Sequence, residues 1–241
     1  MKNSAVDRLG ERLRRGINAA DLTALDSYRR GFLPAYDVVV DRIRAELGLE
    51  ASGRPAKSTS AIVDKLRRGT MRLTQMQDIA GCRIVVPDIP MQGRLIATLD
   101  QMFEVTVVDR RAQPSHGYRA VHAIVAYLDK RVEIQIRTEM QQRWAEASEK
   151  AADTLKDIAI KYGAGDAQMQ GLLQDVSCLI CEMENFERGA YDKIERVSPL
   201  ARMIAEGIID KIQIELERWR KEVFLSLDNL FDTIRELEKK L

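Results

Sequence analysis

Apolar and polar positions alternate most strictly near the middle of the chain, where Val132, Ile134 and Ile136 are interleaved with Glu133, Gln135 and Arg137. Strand side chains point to opposite faces in turn, so one face is apolar and the other carries an acid, an amide and a guanidinium in a row. Leu128-Asp129-Lys130-Arg131 separates this run from an earlier apolar one and predicts a hairpin connection. With Tyr127 paired to Val132, residues Ala126, Ile124 and His122 lie opposite Glu133, Gln135 and Arg137, and Tyr118 points to the same face a little beyond the strand. A polar outer face is ordinary for an antiparallel sheet. An aromatic, a histidine, a carboxylate and two arginines on one short patch equally suit an anion site holding a base or a metal ligand.

Around this hairpin the pattern predicts an α+β core. Residues 1 to about 16 are polar and arginine-rich and read as a fraying end. From Asn18 or Asp21 to Leu47, apolar residues recur at steps of three and four; Pro34 kinks or divides this helix and Gly48 suits its C-terminal cap. Gly53 to Ser60 is a turn leading into a helix over 61–68, with hydroxyl residues placed to cap it. A short helix or turn over 71–79 precedes a strand, Gly81 to Val86, stopped by Pro87. A helix over 91–102, a strand over 103–108 and a basic loop over 109–116 then lead into the hairpin. This order implies a mixed sheet of at least four strands.

After Thr138 the period changes to that of helices, with segments over 139–160 and about 167–190. A last helix begins at Ser198-Pro199 and carries a seam through Leu216, Trp219, Val223, Leu227, Leu230 and Ile234. If unbroken it is on the order of 60 Å long at 1.5 Å per residue. Such a seam packs on another helix of the chain or on a second subunit. Three segments result: an N-terminal helical segment 1–52, a core 53–165 and a C-terminal helical region 166–241 suited to packing or homo-oligomerisation.

Composition narrows the chemistry. The 241 residues carry 38 Lys and Arg against 37 Asp and Glu, so a globally basic nucleic-acid binder is not indicated. No run is apolar enough to span a bilayer and no signal-peptide core opens the chain, which makes a cytoplasmic protein without membrane association the expectation. Cys82, Cys178 and Cys181 form no disulfide framework. Cys178 and Cys181 lie inside the apolar run of a helix and read as buried, inert thiols. With only His116 and His122 present, a histidine-built zinc site is nearly excluded. There is no G-x-x-x-x-G-K-[ST] sequence, which removes a P-loop. Arg54, Lys57 and Lys65 bracket the start of the helix over 61–68, where free amides and positive charge favour a phosphate; a solvated basic surface is the alternative.

Taken in order, four groups of residues resemble the synthetase domain of the RelA/SpoT family. They are Arg54 with Lys57, Ile62 and Lys65; Gln77-Asp78-Ile79-Ala80-Gly81-Cys82-Arg83-Ile84; Gly117-Tyr118-Arg119 with His122; and Glu133-Ile134-Gln135-Ile136-Arg137-Thr138 followed by Trp144-Ala145. The likeness covers about Gly53 to Gly165, and the chain's size is similar to that of the small alarmone synthetases. It implies a nucleotidyltransferase-like mixed sheet flanked by helices. It also implies transfer of the β,γ-pyrophosphate of ATP to the ribose 3′-hydroxyl of GDP or GTP, giving (p)ppGpp and AMP, with Mg²⁺ as cofactor. Position by position, Asp78 would hold the metal, and Glu133 would bind it or take the hydroxyl proton. Arg54 and Arg83 would sandwich adenine, while Lys57 and Lys65 would hold phosphates. Tyr118 would stack on the acceptor base, with Arg119, His122, Gln135 and Arg137 lining the acceptor site.

These residue types suit the reaction on chemical grounds. Phosphoryl-type transfer needs alignment and charge neutralisation. A hard cation prefers carboxylates, guanidinium planes both stack and clamp, and a hydroxyl nucleophile needs a proton acceptor. The sequence departs from the family pattern mainly on the acceptor side: Ala61 replaces a usual serine, and the loop before Gly117 offers Arg110, Arg111 and His116 instead of the usual Tyr and Lys. A second reading therefore keeps the ATP site and changes the acceptor, as in toxin-type relatives that make adenosine alarmones or pyrophosphorylate the tRNA 3′ end. A third is a non-catalytic scaffold built on the long C-terminal helix, against which the paired acids Asp78 and Glu133 argue.

Overall fold

The computed structural model describes residues 2–198 and 206–240. The elements in chain order are helices α1 (Asn3–Arg15), α2 (Ala19–Arg30) and α3 (Leu33–Leu47), strand β1 (Ser52–Arg54), α4 (Thr59–Arg68), β2 (Ala80–Val86), α5 (Ile89–Met102), β3 (Glu104–Asp109), β4 (Val121–Tyr127), β5 (Lys130–Thr138), α6 (Glu139–Thr154), α7 (Ala167–Arg196) and α8 (Glu206–Lys240). Short 3₁₀ turns cover Leu73–Gln75 and Ile158–Tyr162. The five strands form one mixed sheet in the order β1-β2-β5-β4-β3, so the architecture is α+β as expected. Packing divides the chain into two units: residues 1–84, 96–108 and 122–136 in the first, and 85–95, 109–121 and 137–241 in the second.

The first unit holds the N-terminal helices and nearly all of the sheet. Its amino end is not frayed. Val6, Leu9, Gly10 and Leu13 recur at steps of three, one and three, and all are buried, so α1 packs on α2, on α4 and on the Leu73–Gln75 turn. The arginines that made this stretch read as loose lie on its other face or reach inward. Arg14, for one, donates to the Leu66 and Met71 carbonyls at 2.8 and 2.9 Å. The long helix expected over 18–47 is divided, as Pro34 suggested: α2 is capped by Asn18, whose side chain accepts from the Asp21 amide, and α3 restarts with Pro34 in its first turn. Gly48 ends α3 at φ 63°, a left-handed cap that glycine adopts without strain.

The stretch read as a turn over 53–60 begins as a strand. β1 pairs antiparallel with β2, Ser52 opposite Arg83, Gly53 opposite Cys82 and Arg54 opposite Gly81. Three exposed residues carry no alternation for a sequence reading to find. The hairpin between β4 and β5 is two residues tighter than expected. It turns through Leu128 and Asp129 alone, at φ 48° and 57°, the left-handed pair of a type I′ connection.

The second unit is helical. Trp144, Ala147 and Ala151 of α6, Leu173, Ile180 and Met183 of α7, and Val223, Leu227, Leu230 and Ile234 of α8 share one buried core. The seam of the last helix is therefore covered by α6 and α7 of the same chain, the first of the two partners the sequence allowed. The expected start at Ser198-Pro199, with Leu200 and Ile204, reaches outside the described residues, as does Leu241. The thiol expectation needs correcting: Cys178 is exposed and Cys181 half-exposed. On α7 the inward positions are 169, 173, 176, 177, 180, 183, 184, 187 and 190, and a helical period of 3.6 turns residue 178 away from them.

Candidate active site

In the first unit the strand register assembles one group of polar side chains. Paired residues of an antiparallel ladder share a face. Arg54, opposite Gly81, therefore projects on the same side as Arg83, two residues further along β2. β5 is the other neighbour of β2, and Gly81 meets Glu133 there. A Cβ at position 81 would lie 2.8 Å from the Glu133 carbonyl oxygen and 3.5 Å from its Cβ. Only a residue without a side chain permits that approach.

Asp78 stands just ahead of β2, next to two lysines from separate elements. Lys57 Nζ donates to Asp78 Oδ2 at 2.5 Å, and Lys65 Nζ of α4 lies 3.0 Å from the same oxygen. The backbone of Lys57 is held on both sides: its N–H donates to the Ile79 carbonyl at 2.7 Å, and its own carbonyl accepts from Arg29 Nη1 at 3.0 Å. Ser58 then caps α4 by accepting from the Ala61 amide. Burial pushes the Asp78 carboxyl up, but the charges and hydrogen bonds of Lys65 and Lys57 reverse this and hold it below its usual value.

Glu133 is only 12% exposed and is held at both oxygens. His122 Nδ1 lies 2.9 Å from Oε1, and Gln135 Nε2 donates to Oε2 at 2.9 Å. Burial again acts upward, and the His122 hydrogen bond and charge, with the Gln135 bond, bring the carboxyl below its ordinary value despite repulsion from Asp78. Asp78 stands three residues ahead of Gly81, whose backbone abuts Glu133, so both acids lie at the same β2–β5 pairing. The expected register sets His122 opposite Arg137; the tighter turn shifts it by two residues toward Gln135, from where its ring reaches Glu133.

The remaining expected site residues belong to the second unit. Gly117, at φ 84°, lies so close to Trp144 that a Cβ would sit 2.7 Å from its ring. Arg137 is buried, its Nη2 donating to the Tyr118 hydroxyl at 3.0 Å and its Nη1 to Gln142 Oε1 at 2.9 Å. Arg119 is 5% exposed and paired with Glu184, which is fully buried. Arg111, offered by the sequence as part of a basic track, is bonded to both carboxylate oxygens of Asp109 and to Gln92. The sequence reading did not reach Arg29, which positions Lys57, or Glu184. The second left a signal: Glu184 falls within the apolar stripe of α7, where an acid requires a buried partner.

The donor set fits a hard divalent cation. Asp78 Oδ1 is buried and has no hydrogen-bond partner among the described residues, while Oδ2 faces two ammonium groups. No cluster of three or more His, Cys, Asp or Glu occurs among the described residues. Two protein carboxylates with the remaining positions left to water and phosphate is the usual provision for Mg²⁺.

A family model described as a region found in RelA/SpoT proteins matches residues 53–156, a span that contains every residue of both groups described above except Glu184 and Arg29. Uncharacterised proteins of Mycobacterium tuberculosis and Mycobacterium bovis are 36% identical to the chain over 200 residues, covering 73% of it and 71% of their own length. The chain belongs to the RelA/SpoT family. Its fold is that of small alarmone synthetase 1 from Bacillus subtilis, whose crystal structure superposes with a TM-score of 0.53 at 23% identity, covering 70% of this chain and 98% of that one. The same enzyme bound to its product pppGpp gives a TM-score of 0.53 at 22% identity, covering 70% and 99%. Within the family motifs, Asp78, Glu133, Lys57, Lys65, Arg54 and Arg83 are therefore held together in one unit, while Tyr118, Arg119 and Arg137 are held by the helical unit. No helix among the described residues is long and apolar enough to cross a membrane.

Proposed function

We propose that this RelA/SpoT-family chain is an ATP-dependent nucleotide 3′-pyrophosphokinase that moves the β,γ-pyrophosphate of ATP to the ribose 3′-hydroxyl of GDP or GTP and releases AMP. The observation that carries this reading is Asp78, with one carboxylate oxygen on two lysines and the other buried without a hydrogen-bond partner among the described residues, three residues ahead of the glycine that abuts a second acid, Glu133. A binding module has no use for that arrangement, since bringing two like charges together costs stability. A phosphate-transfer site uses both.

Asp78, with Glu133, would hold Mg²⁺, which neutralises phosphate charge when bound. Lys57 and Lys65 are placed to bind the phosphates; a triphosphate entering the site offers their ammonium groups an alternative anion and frees Asp78 Oδ2. Arg54 and Arg83 share a face of the β1–β2 ladder and are suited to the adenine planes. Glu133 is ionised at neutral pH and accepts the proton of the attacking hydroxyl, with His122 and Gln135 fixing its orientation. Tyr118 would stack on the acceptor base. GDP or GTP is favoured over tRNA as acceptor because Arg111 is already paired with Asp109. In functional terms residues 53–165 form the synthetase core, with 1–52 and 166–241 as its helical additions.

The test is transfer of label from radiolabelled ATP, with Mg²⁺ present, to GDP, GTP, AMP, ATP or tRNA offered separately. Label on GDP or GTP is the expected result. Label on tRNA or on an adenine nucleotide alone would replace the acceptor, and label on none of them would remove the enzymatic reading.

A further inference from the structure

The buried charge pair of the second unit has no direct part in the chemistry above. Arg119 Nε and Nη2 both donate to Glu184 Oε2, at 3.1 and 3.0 Å, and neither side chain is more than 5% exposed. The other oxygen, Oε1, accepts from Gln141 Nε2 at 2.5 Å. Gln141 in turn caps α6 by accepting from the Thr138 amide, and its Oε1 also takes Gln92 Nε2 at 3.0 Å. One carboxylate on α7 thus ties the start of α6 to Arg119.

Seven residues earlier on the same helix, Ser177 Oγ donates to the Gly117 carbonyl at 2.7 Å. A separation of seven returns to the same helix face after two turns, about 10 Å along the axis. Ser177 and Glu184 therefore grip the chain on both sides of Tyr118, through Gly117 and through Arg119. Tyr118 itself packs against the core of the helical unit, and Arg137 bonds its hydroxyl at 3.0 Å and lies over its ring, 5.1 Å from the centroid. Nε and Nη2 of Arg119 are engaged with Glu184 out of solvent, which fixes the backbone of this tripeptide to α7.

We infer that Glu184, helped by Ser177, is a positioning residue for the acceptor: α7 holds Gly117-Tyr118-Arg119 in the conformation that presents Tyr118 to the nucleotide base. This rests on the proposed reaction for the word acceptor, but the holding itself does not. α7 lies outside the residues matched by the family model, so the C-terminal helices would act on the site through this pair. Burial pushes the Glu184 carboxyl up, and Arg119 with Gln141 pulls it part of the way back.

The test uses the full chain with Glu184→Gln, which keeps the shape and removes the charge, and Ser177→Ala, which removes one hydrogen bond and leaves the charge pair intact. Hydrogen exchange of the peptide spanning 115–121 is measured first, because it needs no activity. Faster exchange there, with α7 unchanged, is expected for both variants; unchanged exchange in Ser177→Ala, or in a folded Glu184→Gln, overturns the holding. In the label-transfer assay the acceptor KM is expected to rise about tenfold in Glu184→Gln, the loss of one charge-assisted hydrogen bond, and less in Ser177→Ala, with the KM for ATP unchanged. Equal changes in both KM values, or an unchanged acceptor KM, would overturn the assignment to the acceptor. A wild-type chain that transfers no label would defeat the proposed reaction, and exchange alone would then decide whether α7 holds the segment.

Discussion

His122 Nδ1 and Glu133 Oε1 are 2.9 Å apart across β4 and β5, with Gln135 on the other carboxylate oxygen. The pair ties a candidate base to the group that controls its ionisation. Burial and Asp78 push the Glu133 carboxyl up; His122 and Gln135 bring it down. Replacing His122 by alanine removes the largest downward influence, so the Glu133 pKa rises. Since Glu133 must be ionised to accept a proton, the acidic limb of the pH–rate profile is expected to move to higher pH in His122→Ala. A limb that stays in place would show that another group sets it.

Glu133→Gln keeps the size and one acceptor oxygen but cannot take a proton. Transfer is expected to fall by about 100- to 10,000-fold, the usual contribution of general base catalysis, with the circular dichroism spectrum retained. Full activity in this variant would take Glu133 out of the reaction.

The Asp78 carboxyl sits below its ordinary 3.8 because Lys65 and Lys57 outweigh its burial. A carboxyl lowered in the folded state contributes stability above its unfolded pKa and loses it as pH falls through the folded one. Urea midpoints of the wild type should therefore drop between pH 5 and pH 3 more steeply than those of Asp78→Asn. Parallel curves would mean that the lysine contacts do not persist in solution. In the same variant, stabilisation by added Mg²⁺ with a non-hydrolysable ATP analogue should be lost.

Leu227 is fully buried between α8 and its neighbours α6 and α7. Leu227→Ala is expected to cost about 2–5 kcal/mol in urea unfolding. A change under 1 kcal/mol would place that seam outside the core of the chain.

The three cysteines should separate by reactivity. Cys178 is exposed, whereas burial, with a small push from Glu133, raises the Cys82 thiol to about 12. A thiol reagent at pH 8 should modify Cys178 first and Cys82 only on unfolding. Prompt reaction of Cys82 would show that β2 opens in the native state.

Much of this protein could be read from residue order. Strict alternation marked β5, the steps of three and four marked α3 and α8, and Pro34 and Gly48 marked where helices restart and stop, because each depends on neighbours along the chain. The ordered motifs from Arg54 to Trp144 named the family and brought out Asp78 and Glu133 as a pair. Residue order did not reveal β1, whose three residues become a strand only through β2, nor the packing of α1, whose arginines hid a stripe of Val6, Leu9 and Leu13. It also misplaced His122, since a two-residue turn through left-handed Leu128 and Asp129 is settled by strand twist and not by composition. Above all, the partners of buried charges are a matter of three dimensions. Glu184 meets Arg119 from 65 positions away, and Lys57 meets Asp78 from 21. Desolvation makes such pairings obligatory once the core closes, but which cation each acid finds is decided only by the packing that buries it.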